Sequence, residues 1–471
     1  MNILFVAAEA SPLVKVGGLA DVVGSLPKAL NKLGHEVRIL LPRYGAIDMA
    51  TYILSSVAAN FNVRIFGTIK TATLSLAEIK GELRVYLVEN DEFFGSDEVY
   101  GGNDLNRFLF FDNAVVEGLP RLDWQPDIVH CHDWHTGLIP MRLKKVGWGG
   151  ALIFTIHNLA YQGFFDNHFM AVSGLNQDWQ HRPGGMPELP FSFMSQGIAW
   201  ADLLTTVSEN YASEIVTPQH GAGLDNLLRR RQDKLVGIVN GIDYEEYNPN
   251  TDHFIAANYD SERLDSRLMN KLGLQRKVGL PVDINIPLIG MVSRLDEQKG
   301  LDIVMDALPL IFEQTNIQMV ILGTGRHRYH HLLRKATKKY QCRLAVSHDF
   351  DDALAHLIYA GCDIFLVPSR FEPCGITQME AMRYGAIPVV RKTGGLADTV
   401  EDFDPGKNGG TGFVFEKFSS HALFGAIVRA LETYKYQNVW QKLVKKAMSV
   451  NFSWEASAQK YLDLYKKTIS L

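Results

Sequence analysis

The stretch K-V-G-G-L-A-D-V-V at residues 15–23 returns as K-T-G-G-L-A-D-T-V at residues 392–400, with seven of the nine positions identical. Each copy follows an apolar run of strand length and opens a helical pattern. Around the first copy, Ile3–Ala8 reads as a buried strand, Ala20–Leu33 as a helix and Glu36–Leu41 as the next strand. In the second half, Pro287–Val292 reads as a strand, Leu301–Phe312 as a helix and Ile317–Leu322 as a strand. Asp363–Val367, a helix over Thr377–Tyr384 and a strand over Ile387–Val390 follow. Unbroken Val/Ile/Leu runs bounded by glycine are what a parallel sheet covered on both faces requires. The fold class is α/β, with two halves that are each doubly wound.

A Gly-Gly turn at a helix N-terminus leaves main-chain amides facing outward, an arrangement suited to a phosphate or a sugar oxygen. A tight strand–helix turn made for steric reasons alone uses the same glycines. Two near-identical copies in equivalent places favour a ligand site between two facing halves. Neither copy is G-x-G-x-x-G or a phosphate loop with Gly-Lys-Ser/Thr. Glycine is abundant, 40 residues in all, and further Gly-Gly pairs at 101–102, 149–150, 184–185 and 409–410 read as turns.

The join between the halves is expected within 240–285, where N-G-I-D-Y-E-E-Y-N-P-N-T-D (240–252) turns polar and turn-rich and the residues after it are charged. The last twenty residues read as an amphipathic helix with Ser453 as a possible N-cap and Trp454, Ala458, Tyr461, Leu462 and Tyr465 on one face. The 471 residues carry 47 Lys+Arg against 52 Asp+Glu, a net charge of −5 without a long basic run, which gives no footprint for nucleic acid or an anionic membrane. Hydrophobic residues at 46% and charged residues at 21% exclude a disordered chain. Cys131, Cys342, Cys362 and Cys374 show no paired spacing, and there is no apolar run long enough for a membrane span or a leader, so a reduced, cytoplasmic protein is expected.

Five stretches carry residues fit for chemistry. H-C-H-D-W-H-T-G (130–137) offers His130, His132, Asp133 and His135, which resemble metal ligands, but the aspartate is one step away from the spacing of metallo-hydrolases. Asp349-Phe350-Asp351 and Asp402-Phe403-Asp404 are Asp-x-Asp pairs of a kind that chance also produces. V-S-R-L-D-E-Q-K-G-L (292–301) puts Arg294 and Lys299 between a strand end and a helix start, a place suited to a pyrophosphate or to a turn capped by cations. P-S-R-F-E-P-C-G-I-T-Q-M-E-A-M-R-Y-G (368–385) sets Glu372 and Glu380 eight positions apart, with Gly375 opening a helix between them, a frame for gripping hydroxyls.

The two copies K-V-G-G-L-A-D and K-T-G-G-L-A-D, with H-x-H-D-W-H, T-I-H-N-L-A-Y-Q-G (155–163), N-G-I-D, S-R-L-D-x-Q-K-G and S-R-F-E-P-C-G, resemble the bacterial glycogen synthases and plant-type starch synthases, in the same order over essentially the full chain. The resemblance implies a GT-B fold: two Rossmann-like domains facing across a deep cleft, with a C-terminal helix crossing back to the first. It divides the chain into an acceptor-side domain over 1–245, a nucleotide-sugar domain over 246–450 and the helix over 451–471. The implied reaction is retaining transfer of glucose from ADP-glucose to the non-reducing 4-OH of an α-1,4-glucan, with no metal or other cofactor required.

Carried over position by position, the resemblance sets Lys15, Gly17 and Gly18 against the donor phosphates and glucose. Arg294 and Lys299 hold the pyrophosphate, and Glu372 bonds sugar hydroxyls with the amides of Gly375, Ile376 and Thr377. Glu380 reaches the ribose, His157 and Asn158 line the glucose site, and Glu9, Asp21 and Asp133 fall on the acceptor or sugar side. Front-face attack assisted by the leaving phosphate and double displacement through Glu372 both fit retention. Val16 stands where many bacterial members have threonine, and Arg326 in L-G-T-G-R stands where an acid is frequent, so UDP-glucose stays open as donor. The alternatives outside this family are a metal-dependent hydrolase built on His130, His132, Asp133 and His135, a non-catalytic glucan-binding or priming protein, and a glucan phosphorylase, which shares the architecture but needs a lysine-bound pyridoxal phosphate. Nothing in the sequence speaks to oligomeric state.

Overall fold

The computed structural model describes residues 1–79, 81–176, 189–349, 351–407 and 409–469. The chain divides into two compact units, one of Met1–Gly241 together with Trp454–Leu471 and the other of Ile242–Ser453.

The first unit is built on a nine-stranded sheet among the described residues. Its strands are β1 (Asn2–Val6), β2 (Glu36–Pro42), β3 (Ile53–Ile65), β4 (Thr68–Ile79), β5 (Leu83–Glu89), β6 (Ile128–His132), β7 (Ala151–Ile156), β8 (Leu203–Thr206) and β9 (Leu235–Gly237), in the order β3-β4-β5-β2-β1-β6-β7-β8-β9. From β5 to β9 every pairing is parallel, and Ile3, Leu4, Phe5 and Val6 of the central β1 are wholly buried, as strands covered on both faces must be. The β3–β4 hairpin adds an antiparallel edge that a purely doubly wound unit lacks. Alternating burial in β3 begins only at Phe61, so the exposed first half leaves no period-2 signal to read.

The second unit carries β10 (Leu288–Val292), β11 (Gln318–Leu322), β12 (Leu344–Ser347), β13 (Ile364–Val367), β14 (Ile387–Arg391) and β15 (Phe413–Phe415). All are parallel, in the order β12-β11-β10-β13-β14-β15. Numbered within the unit this is 3-2-1-4-5-6, the Rossmann order, in which the connections change direction between the first and fourth strands.

Helix α1 (Gly18–Lys32) opens at the first copy of the repeat and buries Leu19, Val22, Val23, Leu26 and Leu30. Its C-terminal turn runs into Gly34 at φ +85, a conformation for which glycine has no steric penalty. Helices α2 (Leu301–Gln314), α3 (Thr377–Arg383) and α4 (Gly394–Thr399) cover the second sheet. The last helix, α5 (Trp454–Ile469), returns to the first unit and packs along α1. The expected face of Trp454, Ala458, Tyr461, Leu462 and Tyr465 is buried there. Among the described residues no helix is long and apolar enough to cross a membrane, and all four cysteines are unpaired.

Candidate active site

In the second unit β10 and β13 lie side by side, with Ile289 opposite Ile364 and Gly290 opposite Phe365. The chain leaves β10 into Ser293 and Arg294 and leaves β13 into the segment ending at Glu372. Both loops emerge at the carboxyl ends of the strands, at the switch point where α/β sheets bind their ligands. The geometry there is tight. Lys299 Nζ donates to Glu372 Oε2 at 2.6 Å, and Ser369 Oγ donates to the same oxygen at 2.8 Å. Glu372 is 5% exposed, so the ion pair operates partly out of water, where it holds the carboxylate in one orientation. Arg294 is exposed beside it and donates weakly to Gln298 Oε1 at 3.4 Å.

The second Gly-Gly copy explains how this loop is held. Gly395 N–H donates to the main-chain oxygens of Glu372 and Pro373, both at 3.1 Å. Gly394 adopts φ +44, and a methyl group on it would run into the Glu372 carbonyl. Here the glycines serve close approach of two backbones. Gly375, at φ +73, turns the chain into α3, and no partner among the described residues meets the amides of Gly375, Ile376 and Thr377. Glu380 on α3 is buried, and burial together with the nearby Glu380 charge holds the Tyr359 hydroxyl above its ordinary pKa.

The first copy is used differently. Its loop is exposed at Val16, Gly17 and Gly18, and the amides of Val16 and Gly17 donate to Glu9 Oε2 at 2.6 and 3.0 Å. Lys15 Nζ lies 2.7 Å from Asp21 Oδ1. Tyr100 donates to Glu9 Oε1 at 3.0 Å, and burial lifts the Glu9 carboxyl above its ordinary pKa despite these three donors. Glu9 follows β1 and Asp133 follows β6, and these two strands pair at the switch point of the first sheet.

Asp133 sits at φ +59 and ψ 179, a region that is nearly glycine's alone and costs a side-chain-bearing residue about 1–3 kcal/mol. Its Oδ1 accepts the amides of His157 at 2.8 Å and Asn158 at 3.4 Å, which pins the 157–158 loop. Burial, with Glu9 adding negative charge nearby, pushes the Asp133 carboxyl up to about 7. His157 Nε2 meets His132 Nδ1 at 3.0 Å, and burial pushes His157 down to about 3. Glu9, Asp133, His157 and Asn158 thus form one cluster in the first unit. Arg294, Lys299, Glu372, Gly375 and Glu380 share the switch-point loops and helix of the second.

Within the histidine stretch, His130 is committed to partners inside the protein. His130 Nδ1 meets the Tyr465 hydroxyl of α5 at 2.9 Å, and its Nε2 meets Thr155 Oγ1 at 2.6 Å, so neither nitrogen is open to a metal. Among the described residues no group of three His, Cys, Asp or Glu is placed to hold a metal ion. The Asp-x-Asp pairs are structural where they are described. Asp351 caps a helix through Leu354 N–H, Asp402 binds Arg429 through both oxygens, and Asp404 accepts the Gly406 amide. Phe350 and the 184–185 glycine pair lie outside the described residues.

Three contacts escape a sequence reading. Tyr100 is 91 residues from Glu9, and Tyr359 is separated from Glu380 by a strand and a loop, so neither leaves a local signal. Ser369 lies inside P-S-R-F-E, but only folding turns its hydroxyl onto Glu372.

Residues 2–230 match the starch synthase catalytic domain family, and residues 279–447 match glycosyl transferases group 1. A glycogen synthase of Moorella thermoacetica is 45% identical over 100% of this chain and 97% of its own length. The chain belongs to the glycogen synthase family. A Thermotoga maritima glycogen synthase is 42% identical over 100% of this chain and 99% of its own. The catalytic domain of Arabidopsis thaliana starch synthase IV, solved bound to ADP and acarbose, superposes with a TM-score of 0.91 at 33% identity, covering 100% of this chain and 99% of that one. A sucrose-phosphate synthase from Thermosynechococcus elongatus shares the fold alone, with a TM-score of 0.65 at 17% identity. The family is one of GT-B glycosyltransferases, and nothing in these relatives supports a metal-dependent hydrolase.

Proposed function

We propose that this glycogen synthase family member transfers glucose from ADP-glucose to the non-reducing 4-OH of an α-1,4-glucan, with retention and with release of ADP. The observation that carries the assignment of roles is the Lys299–Glu372–Ser369 cluster beside Arg294 at the Rossmann switch point. Two cations at that place neutralise a diphosphate as charge builds on it, the kind of fixed electrostatic support that lowers a barrier most. The amides of Gly375, Ile376 and Thr377 add donors, and Glu380 receives the ribose. Lys15, with Gly17 and Gly18, serves the donor from the first unit, His157 and Asn158 serve the glucosyl group, and Glu9, Asp21 and Asp133 face the sugars.

The proposed step is front-face. The bond from C1 to the phosphate oxygen breaks, the acceptor 4-oxygen bonds to C1 from the same side, and its proton passes to the departing phosphate oxygen. Glu372 Oε2 is engaged by an ammonium and a hydroxyl, which supports hydrogen bonding to sugar over nucleophilic attack. No step needs a metal or another cofactor. Unpaired cysteines support a reducing, cytoplasmic setting. Purified protein given radiolabelled ADP-glucose or UDP-glucose with a glucan primer tests the reading. Label in polymer from ADP-glucose is expected, and no transfer from either donor would sink it.

A further inference from the structure

His132 takes no part in the chemistry above, yet it is buried directly against His157. Its Nδ1 lies 3.0 Å from His157 Nε2. Its Nε2 is fully buried without a partner, and the rings of Phe5 and His130 pack on it with centroids 4.9 and 4.2 Å away. Burial holds both His132 and His157 neutral at physiological pH. A neutral imidazole carries one proton, so one of the two facing nitrogens donates and the other accepts.

The unpartnered Nε2 decides between the two arrangements. If His157 donated, the His132 proton would sit on Nε2 as a buried N–H without an acceptor, the rarer kind of orphan group. With the proton on His132 Nδ1, only a lone pair is left unmatched. We infer that His132 is a positioning residue that donates Nδ1–H to His157 Nε2 and thereby fixes His157 as the Nδ1–H tautomer, a hydrogen-bond donor toward a hydroxyl of the glucosyl group. His157 Nδ1 meets no partner among the described residues. The donor role rests on the proposed glucosyl transfer, whereas the tautomer does not.

The full chain labelled with 15N-histidine tests it. His157 signals are assigned by their loss in His157→Asn, and multiple-bond 1H–15N spectra then show which ring nitrogen carries the proton. Wild type is expected to show Nδ1–H. His132→Asn puts an amide donor where the imidazole Nδ1 stood and keeps that tautomer, with kcat/KM within about threefold of wild type. His132→Asp offers only an acceptor, turns His157 to Nε2–H and lowers kcat/KM by at least about tenfold, as a wrong tautomer does elsewhere. An Nε2–H signal in wild type overturns the proposal, even if a variant fails to fold. Equal spectra for the Asn and Asp variants overturn it too. A correct tautomer series in a protein inactive with both nucleotide sugars would fault the transfer reading alone.

Discussion

Lys299 Nζ and Glu372 Oε2 sit 2.6 Å apart although 73 residues separate them, because β10 and β13 are neighbours in the sheet. Removing either partner leaves the other charge poorly solvated and, on the proposed roles, loosens the hold on sugar and phosphate. Glu372→Ala and Lys299→Ala are each expected to cut glucosyl transfer by about 10²-fold or more, the scale of one lost transition-state contact. Lys15→Ala is expected to do the same. Near-normal turnover in any of the three would remove that residue from the reaction.

The two copies of the repeat should respond differently to an added methyl group. Gly394→Ala drives a Cβ into the Glu372 carbonyl and is expected to destabilise the second unit by about 2–3 kcal/mol. At Gly17 the nearest atom to such a methyl, Glu9 Oε1, is 3.7 Å away, so Gly17→Ala should leave stability within about 0.5 kcal/mol. Denaturant unfolding of both variants checks the contrast.

Asp133 makes a pH-dependent contribution. Its carboxyl holds a proton more tightly folded than unfolded, so its stabilising share is full below about 3.8 and is lost as pH rises to about 7. Asparagine keeps an acceptor for the His157 and Asn158 amides and tolerates positive φ. Asp133→Asn should therefore gain on wild type by a few kcal/mol, on the order of 2–4, between about pH 4 and about pH 8. A stability difference that does not change with pH would mean the carboxyl is not raised.

Tyr465→Phe removes the hydroxyl partner of buried His130 Nδ1. The expected loss is about 1–2 kcal/mol in the first unit, with unfolding of the second unit unchanged. A loss confined to the second unit would contradict the docking of α5.

Treatment with a strong chelator is expected to leave transfer activity unchanged, since both nitrogens of His130 are hydrogen-bonded within the protein. Activity lost to the chelator and restored by one metal would overturn the metal-free step.

Strand and helix identities were readable because burial on both faces of a parallel sheet writes itself as apolar runs, as at Ile3–Val6 and Leu288–Val292. The loops that carry the candidate site were readable because they follow those runs. The β3–β4 hairpin was not, since half of β3 is exposed and keeps no period.

From its sequence alone this chain was determined to be α/β, to repeat one glycine motif in both halves, and to carry Arg294, Lys299 and Glu372 at strand ends. Those features are local, set by composition and spacing over a few residues. Only the tertiary structure decided that one Gly-Gly pair stands open beside Glu9 while the other clamps the Glu372 backbone, and that His132 faces His157. Those relationships join residues brought together by strand order and packing, and side-chain partners at such separations leave no mark on the local pattern.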